Sequence, residues 1–227
     1  MIDGKIDFHA HILPRMDHGC SSSRECCEQL SLAKNAGVGA IVATSHFYPH
    51  EIGIDEFIEN RAGSLNRLYE VYTDEKPEII PAAEVLFCAN MQNMDGLEKL
   101  AIGNTGYILL EMPFGDWKSG WYEDLDEIYD RLNGKVILAH VDRYDSEAID
   151  CLLKRGFLAQ VNASAFAMFK NTKKINQWID SGSIVALGSD IHGTKIGYKE
   201  YLHAAKKLGE RFDVLMSRSA AVLDKKI

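Results

Sequence analysis

What most restricts the fold of this chain is a unit that recurs along its whole length: a short apolar, often β-branched run, then a polar turn, then a helical pattern. The first unit joins "KIDFHA" to "SSRECCEQLSLAKNAG", in which Ser22 and Glu25 have capping-box spacing, Cys26, Leu30 and Ala33 share a helical face, and Gly37 stops the helix. "GAIVATS" then leads to a helix over 55–72, "EIIPAAEV" to a short helix over 96–101, and "GYILLEM" to one over 123–132. "KVILAH" precedes 146–155, "FLAQVNA" precedes 173–181, and "SIVALGSD" precedes two closing helices over 198–208 and 212–223. Seven runs this apolar need cover on both faces, as parallel strands have. The expected architecture is an α/β fold, a closed or nearly closed barrel of seven βα units. Only five prolines occur, and no low-complexity tract or charge block separates the units, so residues 1–227 are expected to form one domain.

Composition removes several function classes. A formal net charge of −8 without any basic run argues against nucleic acid as a partner. The opening "MIDGKIDF" lacks a basic and apolar leader pattern, and no apolar run approaches the ~20 residues of a membrane span. A cytoplasmic protein that is not membrane-embedded is expected. The five cysteines, Cys20, Cys26, Cys27, Cys88 and Cys151, are odd in number and irregular in spacing, which fits reduced thiols acting as small buried or half-buried hydrophobes better than a disulfide framework. Nothing in the sequence sets the oligomeric state.

In α/β barrels the chemistry sits at the C-terminal ends of the strands. Here those ends carry His9 and His11, His46, Glu84, Glu111, His140, and finally Asp190 with His192. Alternation along a strand turns His9 and His11 to one side, and Asp190 and His192 likewise. Any one of these residues alone is more simply a satisfied polar or capping group. Together they predict a metal site, because strand six, with Gln160 and Asn162, is the only one ending without a histidine or carboxylate. Imidazole and carboxylate ligands without thiolate suit Zn, Mn or Fe. There are more ligands than one ion uses, and a bridging Glu84 would let two or three ions sit together, which favours hydrolysis of phosphate esters. A cysteine-dependent route fails on inspection. Its loop needs an arginine six positions after the cysteine, and the five cysteines are followed there by Cys26, Leu32, Ala33, Met94 and Phe157.

The segments "DFHAHILPRMDHG", "ATSHFYP", "AAEV", "LLEMP", "LAHVDRY" and "GSDIH" resemble, in order and spacing, the motifs of the polymerase and histidinol phosphatase (PHP) superfamily, and within it the bacterial capsule-associated protein-tyrosine phosphatases. The resemblance implies a distorted, PHP-like seven-stranded barrel holding two to three divalent ions, Mn first, with Zn or Fe as alternatives. It assigns His9, His11, Glu84 and Asp190 to one ion, Glu84, Glu111 and His140 to a second, and His46, His192 and a residue of the "DHG" corner to a third. Arg143 matches an arginine that contacts the substrate phosphate. The implied partner is a phosphotyrosine protein or peptide, a bacterial tyrosine kinase among the candidates, with a role in capsular or extracellular polysaccharide synthesis.

Two departures stand out. His18 occupies the position where those phosphatases usually carry aspartate, and imidazole is a competent ligand there. After His192 they continue to an arginine and paired prolines, where this chain has only Lys195, a point charge and not a fork. A histidinol-phosphate or other small-molecule phosphatase therefore stays open as an alternative, and a non-catalytic metal-binding module as a second. A phenol, with a pKa near ~10, leaves with little help from a general acid, and no dedicated acid is evident. The loop "WKSGWYEDL" offers Trp117, Trp121 and Tyr122 as a possible aromatic wall. His50 and His203 read as surface histidines.

Overall fold

The computed structural model describes residues 4–167, 172–194 and 197–224. Strands β1 (Lys5–His11), β2 (Val38–Phe47), β3 (Glu78–Leu86), β4 (Ile108–Glu111), β5 (Val136–Leu138), β6 (Leu158–Asn162), β7 (Ile184–Gly188) and β8 (Ile191–His192) form one sheet in the order β7-β6-β5-β4-β3-β2-β1-β8. Every pairing is parallel. The helices are α1 (Ser23–Asn35), α2 (Ile54–Tyr69), α3 (Gly120–Arg131), α4 (Ser146–Lys154), α5 (Lys173–Asp180), α6 (Lys199–Leu208) and α7 (Glu210–Leu223). The expected short helix at 96–101 is a 3₁₀ turn, Leu97–Leu100.

Eight strands replace the expected seven, because the last one breaks in two. Asp190 takes a left-handed conformation with φ 53°, which ends β7 and redirects the chain onto the free edge of β1. The sheet thereby curls until its ends meet: Asp190 N–H donates to His9 O at 2.7 Å. Gly188 permits the approach, since a Cβ there would lie 2.4 Å from His9 Cβ.

Helix α1 forms as its caps dictate. Ser22 Oγ accepts from Glu25 N–H, but Glu25 turns its carboxylate to Ser21 and not back to Ser22, so only half of the capping box closes. Cys26, Leu30 and Ala33 are fully buried on the expected face. Asp145 caps α4 by accepting from Glu147 and Ala148. The five cysteines are free thiols. Among the described residues no helix is long and apolar enough to cross a membrane.

The apolar residues divide into two layers. One lies between sheet and helices and includes Leu30, Phe47, Phe57, Leu110 and Leu138. The other fills the barrel with Ile6, Phe8, Val42, Leu109, Ile137 and Ala186. Burying each large side chain of this kind stabilises by roughly 1.5–3 kcal/mol. Along β2 the interior stripe runs Ala40, Val42, Thr44, His46; on β3 it runs Ala82, Glu84, and on β4 Leu109, Glu111, so each stripe passes from an apolar floor to a candidate ligand at the mouth.

Candidate metal centre

Strict alternation would put His9 on the opposite face from Ile6 and Phe8. A bulge corrects this. From Asp7 to Ala10 strand β1 takes three steps while its partner β2 takes two, from Ile41 to Ala43. The extra residue turns His9 and His11 into the barrel above Phe8 and sends Ala10 to the outer layer. His140 reaches the same mouth from a left-handed backbone, φ 30°, directly after β5. Of the five non-glycine described residues with positive φ, two, His140 and Asp190, carry candidate ligands.

Glu84, 1% exposed, is the hub. Its Oε2 lies 3.2 Å from Nε2 of both His9 and His11 and 3.1 Å from His46 Nδ1, while Oε1 is 2.8 Å from His140 Nε2. Asp190 Oδ1 stands 3.6 and 3.4 Å from His9 and His11 Nε2 and 3.5 Å from His192 Nδ1. Glu111 lies 3.4 Å from His140 Nε2 and 3.8 Å from His46 Nδ1. Three sets of donor atoms each converge within 4.8 Å: His11, His46 and His192; His9, His11 and Asp190; His46, Glu84 and Glu111.

Glu84 Oε1 shares a hydrogen bond with His140 Nε2, but not every donor here finds a partner. Glu84 Oε2 and His46 Nδ1 are buried without a hydrogen-bond partner despite their closeness, so their lone pairs aim at shared points and not along mutual hydrogen bonds. Burial opposes charge on Glu84, yet the His9 charge and the imidazoles of His11, His140 and His46 hold its carboxyl well below the usual range. His11 is opposed by burial too, but Asp17, Asp190 and Glu84 hold it well above an ordinary imidazole. His140, likewise opposed by burial, is raised to about 9 by Glu111 and Glu84. His192, partly buried beside the His11 charge, is lowered to about 4. The cage draws positive charge to its centre, and its donor set of imidazoles and carboxylates fits divalent ions of the Zn, Mn and Fe type.

A second layer of polar groups holds the donors, and sequence reasoning passed over it. Gln160 Oε1 meets His9 Nδ1 at 3.2 Å and accepts from His140 N–H at 2.7 Å, while its Nε2 donates to Asn162 Oδ1. Asn162 in turn donates to Asp190 Oδ2 at 2.9 Å. Strand β6, which ends in no histidine or carboxylate, is the brace for two neighbours. Its signal was Gln160 and Asn162 two apart on one face of an otherwise apolar strand. Asp17 is a brace of the same kind: Oδ2 pairs with His11 Nδ1 at 2.9 Å and accepts from His46 N–H, and Oδ1 accepts from Gly19 N–H. Gly19 packs where a Cβ would come within 2.2 Å of His11 Cβ.

The structure thus gathers His9, His11, His46, Glu84, Glu111, His140, Asp190 and His192 at one mouth. His18 lies at its exposed edge, its ring stacked 4.5 Å from that of His192 and 5.0 Å from that of His46, outside the three convergent sets. Arg143 pairs with Asp190 Oδ2, beside a hollow of about 220 Å³ that Asn162, Ser189 and His192 also line. Lys195 lies outside the described residues. Trp117 donates to Pro113 O and packs edge-on against Tyr144, whose ring is 5.5 Å from His140, whereas Trp121 packs on Phe87. His50 and His203 are exposed.

A parallel barrel with a carboxylate-bridged histidine mouth defines a metal-dependent hydrolase type of site. The family described as capsular polysaccharide synthesis, CpsB/CapC, matches residues 5–219, and the chain belongs to it. The tyrosine-protein phosphatase YwqE of Bacillus subtilis is 26% identical over 237 residues, covering 96% of this chain and 91% of that protein. A solved structure from work on YwqE and on CpsB of Streptococcus pneumoniae, described as unique metal-dependent tyrosine phosphatases, superposes with a TM-score of 0.79 at 22% identity, covering 98% of this chain and 95% of the other. The lactonase Lmo2620 of Listeria monocytogenes shares the fold more distantly, with a TM-score of 0.56 at 15% identity, covering 100% of this chain and 96% of that one.

Proposed function

We propose that this chain is a metal-dependent phosphomonoesterase acting on phosphotyrosine in a protein or peptide, with residues 1–227 working as one catalytic domain in the cytoplasm. The observation that carries the reading is Glu84, whose two oxygens face four imidazoles while one of them stays without a hydrogen bond. Two to three divalent ions, Mn first with Zn or Fe as alternatives, would be held by His9, His11, Glu84 and Asp190, by Glu84, Glu111 and His140, and by His46, His192 and His18. When bound, such ions supply Lewis-acid charge to phosphoryl oxygens and lower the pKa of a water.

The remaining work falls to the chain itself. Asp190 divides its oxygens, Oδ1 facing His9 and His11 and Oδ2 holding Arg143 and Asn162, so the guanidinium is fixed at the edge of the mouth. From there its planar fork can take two phosphate oxygens at once. The departing tyrosine phenoxide, with a pKa near ~10, needs no strong acid. Relatives that are tyrosine phosphatases support a phosphotyrosine substrate, and the family description supports a role in capsular polysaccharide synthesis, with a bacterial tyrosine kinase as the candidate partner.

The test is to strip the protein with a strong chelator, reload it with Mn or Zn, and assay a phosphotyrosine peptide beside histidinol phosphate. Activity should vanish, return with metal and favour the peptide. His18→Ala should bind about one metal equivalent fewer. Undiminished turnover after complete stripping would sink the reading, and preference for histidinol phosphate would move it to a small substrate.

A further inference from the structure

A hollow of about 540 Å³ opens on the other side of the mouth, between the loop that follows β1 and the helix α2. His18 and His46 form its inner wall, so it is continuous with the metal centre. Its outer wall carries Arg15 and Arg67. The chain has nine arginines. Arg24, Arg131, Arg143, Arg155 and Arg211 each pair with a carboxylate, and Arg218 donates to two backbone carbonyls. Of the four without a carboxylate partner among the described residues, Arg218 lies elsewhere, Arg15 and Arg67 line this hollow, and Arg61 stacks on Phe57, another wall residue. In a chain of net charge −8 such a concentration of unanswered positive charge is not a surface average.

Resting on the phosphotyrosine reading, we infer that this hollow is a subsite for acidic side chains flanking the phosphotyrosine of a protein substrate. Its volume exceeds what one side chain fills, and Ile52 and Phe57 supply apolar wall for backbone and aliphatic stems. A residue one to three positions from the phosphotyrosine reaches it, at roughly 3.5 Å of extended chain per residue. Arg15 is presented by a left-handed backbone, φ 58°, held by the bond from its N–H to Cys20 O at 2.8 Å. Two carboxylates also line the hollow, and both are turned to other work or to solvent. Asp17 is committed to His11, His46 and Gly19, and Glu51 is 61% exposed with His50 3.7 Å away.

The experiment uses the metal-loaded protein, three phosphotyrosine peptides of equal length with glutamate, glutamine or lysine flanks, and p-nitrophenyl phosphate. Wild type should turn over the glutamate peptide about five- to tenfold better than the glutamine peptide in kcat/KM, the scale of one or two partly exposed charge pairs. Arg67→Glu should reverse the order and prefer the lysine peptide, with p-nitrophenyl phosphate turnover within about twofold of wild type. Arg15→Asn, which keeps a residue tolerant of the left-handed backbone, should lose the glutamate preference without reversing it. Equal kcat/KM on all three peptides in wild type, or an equal loss on every substrate in Arg67→Glu, overturns the subsite while leaving the phosphatase reading intact. No turnover of any substrate by the loaded protein overturns both.

Discussion

The floor and the mouth of the barrel are built on the same strands and differ in what they leave undone. At the floor Phe8, Val42, Leu109 and Ile137 are fully buried against one another, and every contact there is satisfied by the chain itself. At the mouth, further along the same stripes, buried Glu84 and half-buried His46 carry donor atoms that no other described residue completes. The floor stabilises; the mouth is held in place by that stability in spite of its own electrostatics. A binding site for cations costs folding free energy, and the price is met a few ångströms away.

This division can be broken most sharply with one pair of variants. Glu84→Ala should remove metal and lower the rate by on the order of a thousandfold or more, about 4 kcal/mol of transition-state stabilisation, since one side chain faces four imidazoles. Phe8→Ala should do the reverse, costing about 3–5 kcal/mol in denaturant unfolding while the folded fraction keeps its full metal content. If metal analysis shows Phe8→Ala stripped while still folded, floor and mouth are not separable.

The rim offers a smaller test. Arg143→Lys should keep metals and fold but lose about ten- to a hundredfold in rate, because an ammonium cannot supply the bidentate fork. A wild-type rate with unchanged KM would reduce Arg143 to a partner of Asp190. Smallest of all, Gln160→Ala should weaken metal binding by about tenfold through His9 and the His140 backbone, with the midpoint of unfolding of the metal-free protein moved little. Unchanged affinity by metal titration would show that the two histidines need no brace.

Much of this arrangement was legible beforehand. The βα order held at six of the seven units, the third carrying a 3₁₀ turn in place of its short helix, and the eight strand-end residues read as candidate ligands gather at one mouth. The exceptions have physical causes. His9 and His11 do share a side, as alternation requires, but the bulge between Asp7 and Ala10 is what turns that side inward. Asp190 and His192 converge for a different reason than alternation, since Asp190 sits in a left-handed bend between two strands. That bend also adds the eighth strand. Gln160, Asn162 and Asp17 were invisible as braces because an amide or carboxylate in a ligand-rich segment reads equally well as a ligand, a cap or a surface group until its partners are known.

The sequence by itself determined the succession of strands and helices, the apolar floor and the kinds of donor at each strand end. These depend on periodicity, capping and composition, which act between residues a few positions apart. Only the tertiary structure decided where those donors point, that Asp17 braces while His18 stays at the edge, and that Arg15 and Arg67, far apart in the chain, line one hollow. Such outcomes depend on how far the sheet curls and on close approaches such as Gly188 to His9 and Gly19 to His11, which join residues distant in the chain and leave no local pattern to read.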